Sequence, residues 1–170
     1  KVELEQYPTS SHIAAHMVFT MQESFGDVEG KFVVDLGCGC GVLAIACALM
    51  GAAHVLAVEI DADAICVAKE NAARLGVDHI IDFQLANAVG IASSKKLSGI
   101  NPSRRTGRSK QHGRRSGKAA AVPSSSLRDE TLLHFFLRIR ADTVVMNPPF
   151  GTKGNSGLDV LFLRRAVEVG

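Results

Sequence analysis

Two kinds of hydrophobic pattern alternate along this chain. Short runs of β-branched and apolar residues, too dense to leave a polar face, give way to stretches in which apolar positions recur at helical spacing. Phe32–Leu36 reads as a buried strand, followed by a glycine-rich turn and a helix over 42–50 that Gly51 closes. A second strand is predicted over 54–60. Asp61 or Asp63 can then cap a helix whose Ala64, Val67, Ala68 and Leu75 would share one face before Gly76 ends it. A third strand fits within 80–85 and a fourth over Thr143–Met146. Upstream, Ser10 or Ser11 can cap a helix over 12–24, with Ile13, Met17, Thr20 and Ser24 as a modest apolar face.

Strands joined by helices predict the α/β class, a parallel sheet with helices on both faces and right-handed crossovers. Ligands of such sheets bind beyond the carboxyl ends of the strands. At 170 residues and 46% hydrophobic content, the chain is long enough for one core, so a single domain over 1–170 is expected. The periodicity stops between 92 and 128, where Ser, Gly, Pro and basic residues predict a disordered insertion. A helix-like apolar segment with Leu132, Leu133, Phe135, Phe136 and Leu137 then leads into the fourth strand.

Charge sharpens this picture. Between Ser93 and Lys118 stand nine of the 19 basic residues and no acidic one, so the rest of the chain is net acidic, ten against 17. No apolar run approaches the roughly 18 residues needed to cross a bilayer, and the N-terminus lacks the form of a secretory signal. A cytoplasmic or nuclear protein without membrane association is expected. The start at Lys1 and the helical pattern running into Gly170 suggest that both ends are cut. Cys38, Cys40, Cys47 and Cys66 have no C-x-x-C spacing and no histidine cluster, so neither a metal site nor a disulfide is expected. Cys47 and Cys66 read as small apolar filler.

The chemistry collects where strands end. Asp35-Leu36-Gly37-Cys38-Gly39-Cys40-Gly41 turns the first strand into a helix, with glycines that let backbone approach a ligand. Its G-x-G-x-G spacing departs from the dinucleotide fingerprint, and the Asp35 carboxylate would repel a pyrophosphate but suit a ligand bearing an ammonium and a sulfonium. Glu59 ends the second strand, where a carboxylate can accept from the ribose hydroxyls of an adenosine-containing cofactor. Together these residues favour S-adenosyl-L-methionine. Asn147-Pro148-Pro149-Phe150 follows the fourth strand. Two prolines fix the backbone and remove two N–H donors, leaving carbonyls and the Asn147 amide oxygen as acceptors. Acceptors so held can draw on the hydrogens of an adenine amine and favour the pyramidal nitrogen that attacks a methyl group. Phe150 can stack on the base.

Leu4-Glu5-Gln6-Tyr7-Pro8-Thr9, His12-Ile13-Ala14-Ala15, the glycine loop and Met146-Asn147-Pro148-Pro149-Phe150-Gly151-Thr152-Lys153 together resemble the methyltransferase-like family that forms N6-methyladenosine in small-subunit ribosomal RNA. The resemblance covers nearly all of the chain except the basic stretch. It implies a Rossmann-like class I methyltransferase of seven strands, the last three without counterpart here. It implies that Gln6, Thr9, Gly37, Cys40 and Glu59 line the cofactor and that Asn147, Pro148, Pro149 and Phe150 form the catalytic motif. It also implies an RNA substrate and a small zinc-binding activator subunit. The third strand, at a sheet edge with Ile80, Ile81, Phe83 and Leu85 making it apolar on both faces, is the expected place for that partner. Where the family has an Asp to hold the cofactor's adenine, this chain has Ala86-Asn87, and either residue could stand there; Asn87 is the one able to accept that hydrogen bond. Other readings of the same motifs are methylation of a protein glutamine amide, methylation of DNA adenine, and a non-catalytic RNA-binding scaffold of the same fold.

Overall fold

A computed structural model describes residues 9–88, 139–149 and 157–170. Its four strands, Phe32–Leu36 (β1), His54–Glu59 (β2), Ile81–Leu85 (β3) and Thr143–Met146 (β4), are all parallel and lie in the order β3-β2-β1-β4. The helices are Ser11–Phe25 (α1), Val42–Leu49 (α2), Ala62–Arg74 (α3) and Leu158–Val169 (α4). Gln6, Phe150 and the basic stretch at 92–128 lie outside the described residues.

Helices on both faces explain why β1 and β2 carry no polar stripe. Val33, Val55, Ala57 and Val145 point into a cluster with Ala14, Val18, Leu43, Ala44, Cys47 and Ala72, contributed by α1, α2 and α3. Val34, Leu36, Leu56 and Val58 point the other way, toward Ile139, Ala141, and Phe162 and Val169 of α4. Alternate residues of a strand must face opposite layers, so a sheet covered on both sides needs an unbroken apolar run.

Helix ends follow local chemistry, whereas two helix faces differ from expectation. The Ser10 hydroxyl accepts from the Ile13 N–H, and Gly26 ends α1 in the left-handed region at φ 66°. The buried face of α1 is Ala14 and Val18, while Ile13 and Met17 are exposed. The small side chains let α1 lie close against the equally small Ala44 and Ala48 of α2. Likewise α3 buries Ile65, Ala68 and Ala72 and leaves Val67 and Leu75 exposed. Cys47 is core filler as expected; Cys66 is exposed and is not.

Long-range polar contacts set the register of β4. The Phe32 N–H donates to the Asp142 carboxylate at 2.8 Å, and the Asp142 N–H donates back to the Phe32 carbonyl at 2.9 Å. The Thr143 hydroxyl donates to the Asp27 carbonyl at 2.6 Å. A one-residue slip would break all three bonds and turn Val145 out of the core.

Among the described residues β3 is an edge strand, paired with β2 alone. It is not apolar on both faces. Ile81, Phe83 and Leu85 share one face by alternation, while the opposite face presents Asp82 and Gln84, with Asp82 3.2 Å from the His54 imidazole. Among the described residues no helix is long and apolar enough to cross a membrane, and no three His, Cys, Asp or Glu are grouped to hold a metal ion.

Candidate active site

Strand register brings the candidate residues together. Leu36 is level with Val58 on one side and Met146 on the other, so Gly37, Glu59 and Asn147 stand side by side at the carboxyl ends of three adjacent strands. Neighbouring strands lie about 4.8 Å apart, so a single small ligand can touch all three. Glu59 is in turn level with Leu85.

The glycine loop is held from beneath. The Gly37 and Cys38 N–H groups both donate to the Val58 carbonyl, at 2.8 and 3.0 Å, and the Asn71 amide donates to the Cys40 carbonyl at 3.2 Å. A Cβ on Gly37 would stand 3.1 Å from the Phe162 ring, and one on Gly41 3.0 Å from the Ala68 Cβ. These two glycines therefore serve close packing against α4 and α3. At Gly39 no described atom lies within 4 Å of where a Cβ would be, so this is the open side of the loop. The packing roles of Phe162 and Asn71 have no sequence signal, because contact at separations above 30 residues leaves no local pattern.

Glu59 is buried and braces the loop. One carboxylate oxygen accepts from the Gly39 N–H at 2.9 Å; the other accepts from Ile60 at 2.9 Å and Asp61 at 3.0 Å. A carboxylate offers about four acceptor positions, so three are used and the Gly39-facing oxygen keeps one. The expectation that Glu59 takes both ribose hydroxyls is thereby narrowed. One hydroxyl has an acceptor ready, and a second must displace a backbone bond. Asp61 also caps α3, accepting from the Asp63 N–H at 3.1 Å.

Asp35 is turned under the loop and is 1% exposed. Its Oδ2 accepts from the Ala44 N–H in the first turn of α2 at 3.0 Å, while Oδ1 has no hydrogen-bond partner. Burial pushes its pKa up to about 7, opposed by the Ala44 bond and assisted by the nearby Glu59 charge. Burial also pushes the Cys47 thiol up to about 12 and raises Cys38, with the Asp35 charge adding to both.

On the substrate side, Asn147 is exposed just past β4, with Pro148 and Pro149 half-buried. Its Nδ2 donates to the Thr9 hydroxyl at 2.9 Å, across 138 residues of sequence. Thr9 therefore meets the Asn-Pro-Pro motif directly. Cys40 is half-buried in the loop. Beyond β3, the Ala86 N–H donates to the Glu59 carbonyl and Ala86 packs against the α4-side core, while Asn87 is exposed. Of that pair, Asn87 is the one with a polar side chain.

Comparison with known proteins agrees with this geometry. Over 170 residues the chain is 33% identical to the rRNA N(6)-adenosine-methyltransferase METTL5 of Danio rerio, covering 99% of this chain and 61% of that protein. It thus spans about three fifths of the length of such curated relatives. Over 79 residues it is 43% identical to the ribosomal protein L11 methyltransferase of Aliivibrio fischeri, covering 46% of this chain and 26% of that one. The crystal structure of a protein from Pyrococcus horikoshii, provisionally assigned as an RNA methyltransferase, superposes with a TM-score of 0.65 at 28% identity, covering 99% of this chain and 61% of that one. Residues 7–100 match the family described as Ribosomal protein L11 methyltransferase (PrmA), a span that holds the glycine loop, Asp35 and Glu59. With more than half of its length matched, and the strand ends arranged as above, the chain belongs to that methyltransferase family, and its full length resembles the rRNA N(6)-adenosine-methyltransferases.

Proposed function

We propose that this chain carries the cofactor half and the amine-binding motif of an S-adenosyl-L-methionine-dependent N6-adenine methyltransferase acting on RNA, with small-subunit ribosomal RNA as substrate. The observation that supports this best is the adjacency of Gly37, Glu59 and Asn147 on neighbouring strand ends. The residues present fit the cofactor. Asp35 Oδ1 has no hydrogen-bond partner, and a cationic ligand group beside it would favour the ionised, accepting form of this carboxyl, while Glu59 keeps an acceptor position for a hydroxyl. When bound, the cofactor supplies a methyl group made electrophilic by its sulfonium. Gly37, Cys40, Glu59 and Asn87 would hold it from this side, together with Gln6.

Asn147 and the proline carbonyls act on the other reactant. The lone pair of an adenine amine is delocalised into the ring, which makes the nitrogen a poor nucleophile. Acceptors fixed on its two hydrogens favour a pyramidal nitrogen and return the lone pair to it. Pro148 and Pro149 stiffen the backbone that presents these acceptors, and Phe150 gives the base a stacking face. The family match to L11 methyltransferases ends before Asn147, whereas relatives alike across both halves include the rRNA N(6)-adenosine-methyltransferases of Danio rerio and Drosophila melanogaster, which supports an RNA base over a protein amide. The basic stretch between Ser93 and Lys118 adds salt-sensitive affinity for phosphates.

This reading includes a small zinc-binding activator subunit added along β3, whose outer side has no strand neighbour among the described residues. Hydrogen exchange at 81–85 that slows only in the complex supports the subunit; equal protection in the isolated chain argues against it. Methylation is tested with full-length protein on small-subunit ribosomal RNA, scoring N6-methyladenosine by mass spectrometry. Asn147→Ala should lower turnover by about 10² or more with little change in cofactor affinity. Methylation of a glutamine amide in place of RNA would overturn the assignment.

A further inference from the structure

We infer that cofactor binding at this site drives a proton off Asp35, so that S-adenosyl-L-methionine is held more tightly as pH rises toward neutrality; this rests on the proposed cofactor reading. The place of Asp35 in the sheet explains why a ligand's charge can do this. On β1 it shares a face with Val33 by alternation, and it is level with Ala57 on β2 and Val145 on β4. All three of these neighbours belong to the apolar cluster that α2 covers. A carboxyl in such surroundings has lost its water and has little to replace it. Its Oδ2 accepts from the Ala44 N–H at 3.0 Å, and its Oδ1 has no hydrogen-bond partner.

The charged and titratable groups around Asp35 work against its ionisation. Glu59 on β2 acts on it with a like charge, while the thiols of Cys38 in the loop and Cys47 on α2 are themselves raised by the Asp35 charge. The Ala44 bond in the first turn of α2 favours the carboxylate, but burial outweighs it and leaves the group at about 7. Among the described residues no cation is one of the groups that shift it. A cation can arrive from the cleft, which opens at Gly37 two residues further on. S-adenosyl-L-methionine carries two positive groups, an ammonium and a sulfonium. An opposite charge within about 4 to 6 Å lowers the pKa of a carboxyl by about 1 to 3. Binding then releases the Asp35 proton to solvent and leaves a carboxylate beside the cation. Because the free protein holds the proton below about 7 and the complex does not, affinity climbs as pH rises to about 7 and levels off above.

The test is calorimetry of S-adenosyl-L-methionine binding to full-length protein, in buffers of different ionisation enthalpy so that released protons are counted. At about pH 6.5 the parent should release about half a proton or more, and at about pH 8.5 almost none beyond what Asp35→Asn releases. Any proton lost by the ligand's own ammonium is common to both proteins and cancels in that comparison. Between about pH 6 and 8, affinity should rise about five- to tenfold more in the parent than in Asp35→Asn. Equal proton counts in the two proteins, or equal rises, overturn the inference. A second readout needs only the parent. Its infrared spectrum at about pH 6 should contain the carbonyl stretch of a buried protonated carboxyl, and that band should disappear when the cofactor is added. A band that is absent from the start, or that survives binding, overturns the inference as well. Binding without proton release leaves the cofactor reading standing and sinks this inference alone, whereas no binding at any pH sinks both.

Discussion

Replacing Glu59 by Gln isolates what one negative charge does beneath the glycine loop. The carboxylate accepts three backbone N–H bonds, from Gly39, Ile60 and Asp61. Glutamine has one oxygen, which can keep the Ile60 and Asp61 pair; its NH2 then faces the Gly39 N–H, donor against donor. A hydrogen bond to a charged group is worth about 1.5 to 3 kcal/mol, and the two retained bonds weaken once the charge is gone. The net cost is about 2 to 4 kcal/mol. At about 2 to 4 °C per kcal/mol for a domain of this size, Tm should fall by about 5 to 15 °C. Urea denaturation should show a lower midpoint with an unchanged slope, since the surface exposed on unfolding is the same. A variant within about 0.5 kcal/mol of the parent would refute the brace and leave Glu59 only a role toward ligands.

Three further outcomes follow from the same geometry. Gly37→Ala should destabilise by about 1 to 2 kcal/mol from its φ of 76° alone, plus a steric cost from Phe162 at 3.1 Å; adding Phe162→Leu should relieve only the steric part in a melting comparison. Asp35, raised to about 7 in the fold, stays protonated there while it ionises in the unfolded chain, so its contribution to stability is full below about pH 4 and is lost as pH rises toward 7. The stability of Asp35→Asn relative to the parent should therefore climb between pH 4 and 7 and level off above, and a flat difference in urea titrations would contradict this. Brief alkylation of the native protein at pH 8 followed by mass spectrometry should mark the exposed Cys66 and spare the buried Cys38 and Cys47, whose thiols are pushed up by burial; equal labelling would contradict the burial argument.

How much of this was legible before the fold was seen depends on whether the determinant was local. β1, β2 and β4 were readable within a residue or so because strands covered on both sides need apolar runs, and α1 and α3 began at the caps their Ser and Asp residues announced. The glycine loop, Glu59 and Asn147 were placed correctly at strand ends, since position in a parallel sheet follows from element order. Helix faces were less legible. On α1 both Ile13 with Met17 and Ala14 with Val18 have helical spacing, and the smaller pair won because it permits closer approach to α2. On β3 a count of apolar residues hid the alternation that puts Asp82 and Gln84 on one face. The bonds from Glu59 to Gly39 and from Thr9 to Asn147 had no local signature, because they join segments 20 and 138 residues apart.

The way β4 docks has a consequence for evolution. β4 pairs with β1 and not with β3, its predecessor in sequence, and its alignment is dictated by Phe32, Asp27 and the four-residue ladder. The polypeptide between residues 88 and 139 therefore has to return the chain to the sheet but does not have to aim it. Extending such a connection costs little, about 0.6 kcal/mol for each doubling of its length. That connection can change in length and composition while the spacing between Gly37, Glu59 and Asn147 stays as the ladder sets it. The length of the connection and the geometry of the strand ends are thus set by separate stretches of the chain.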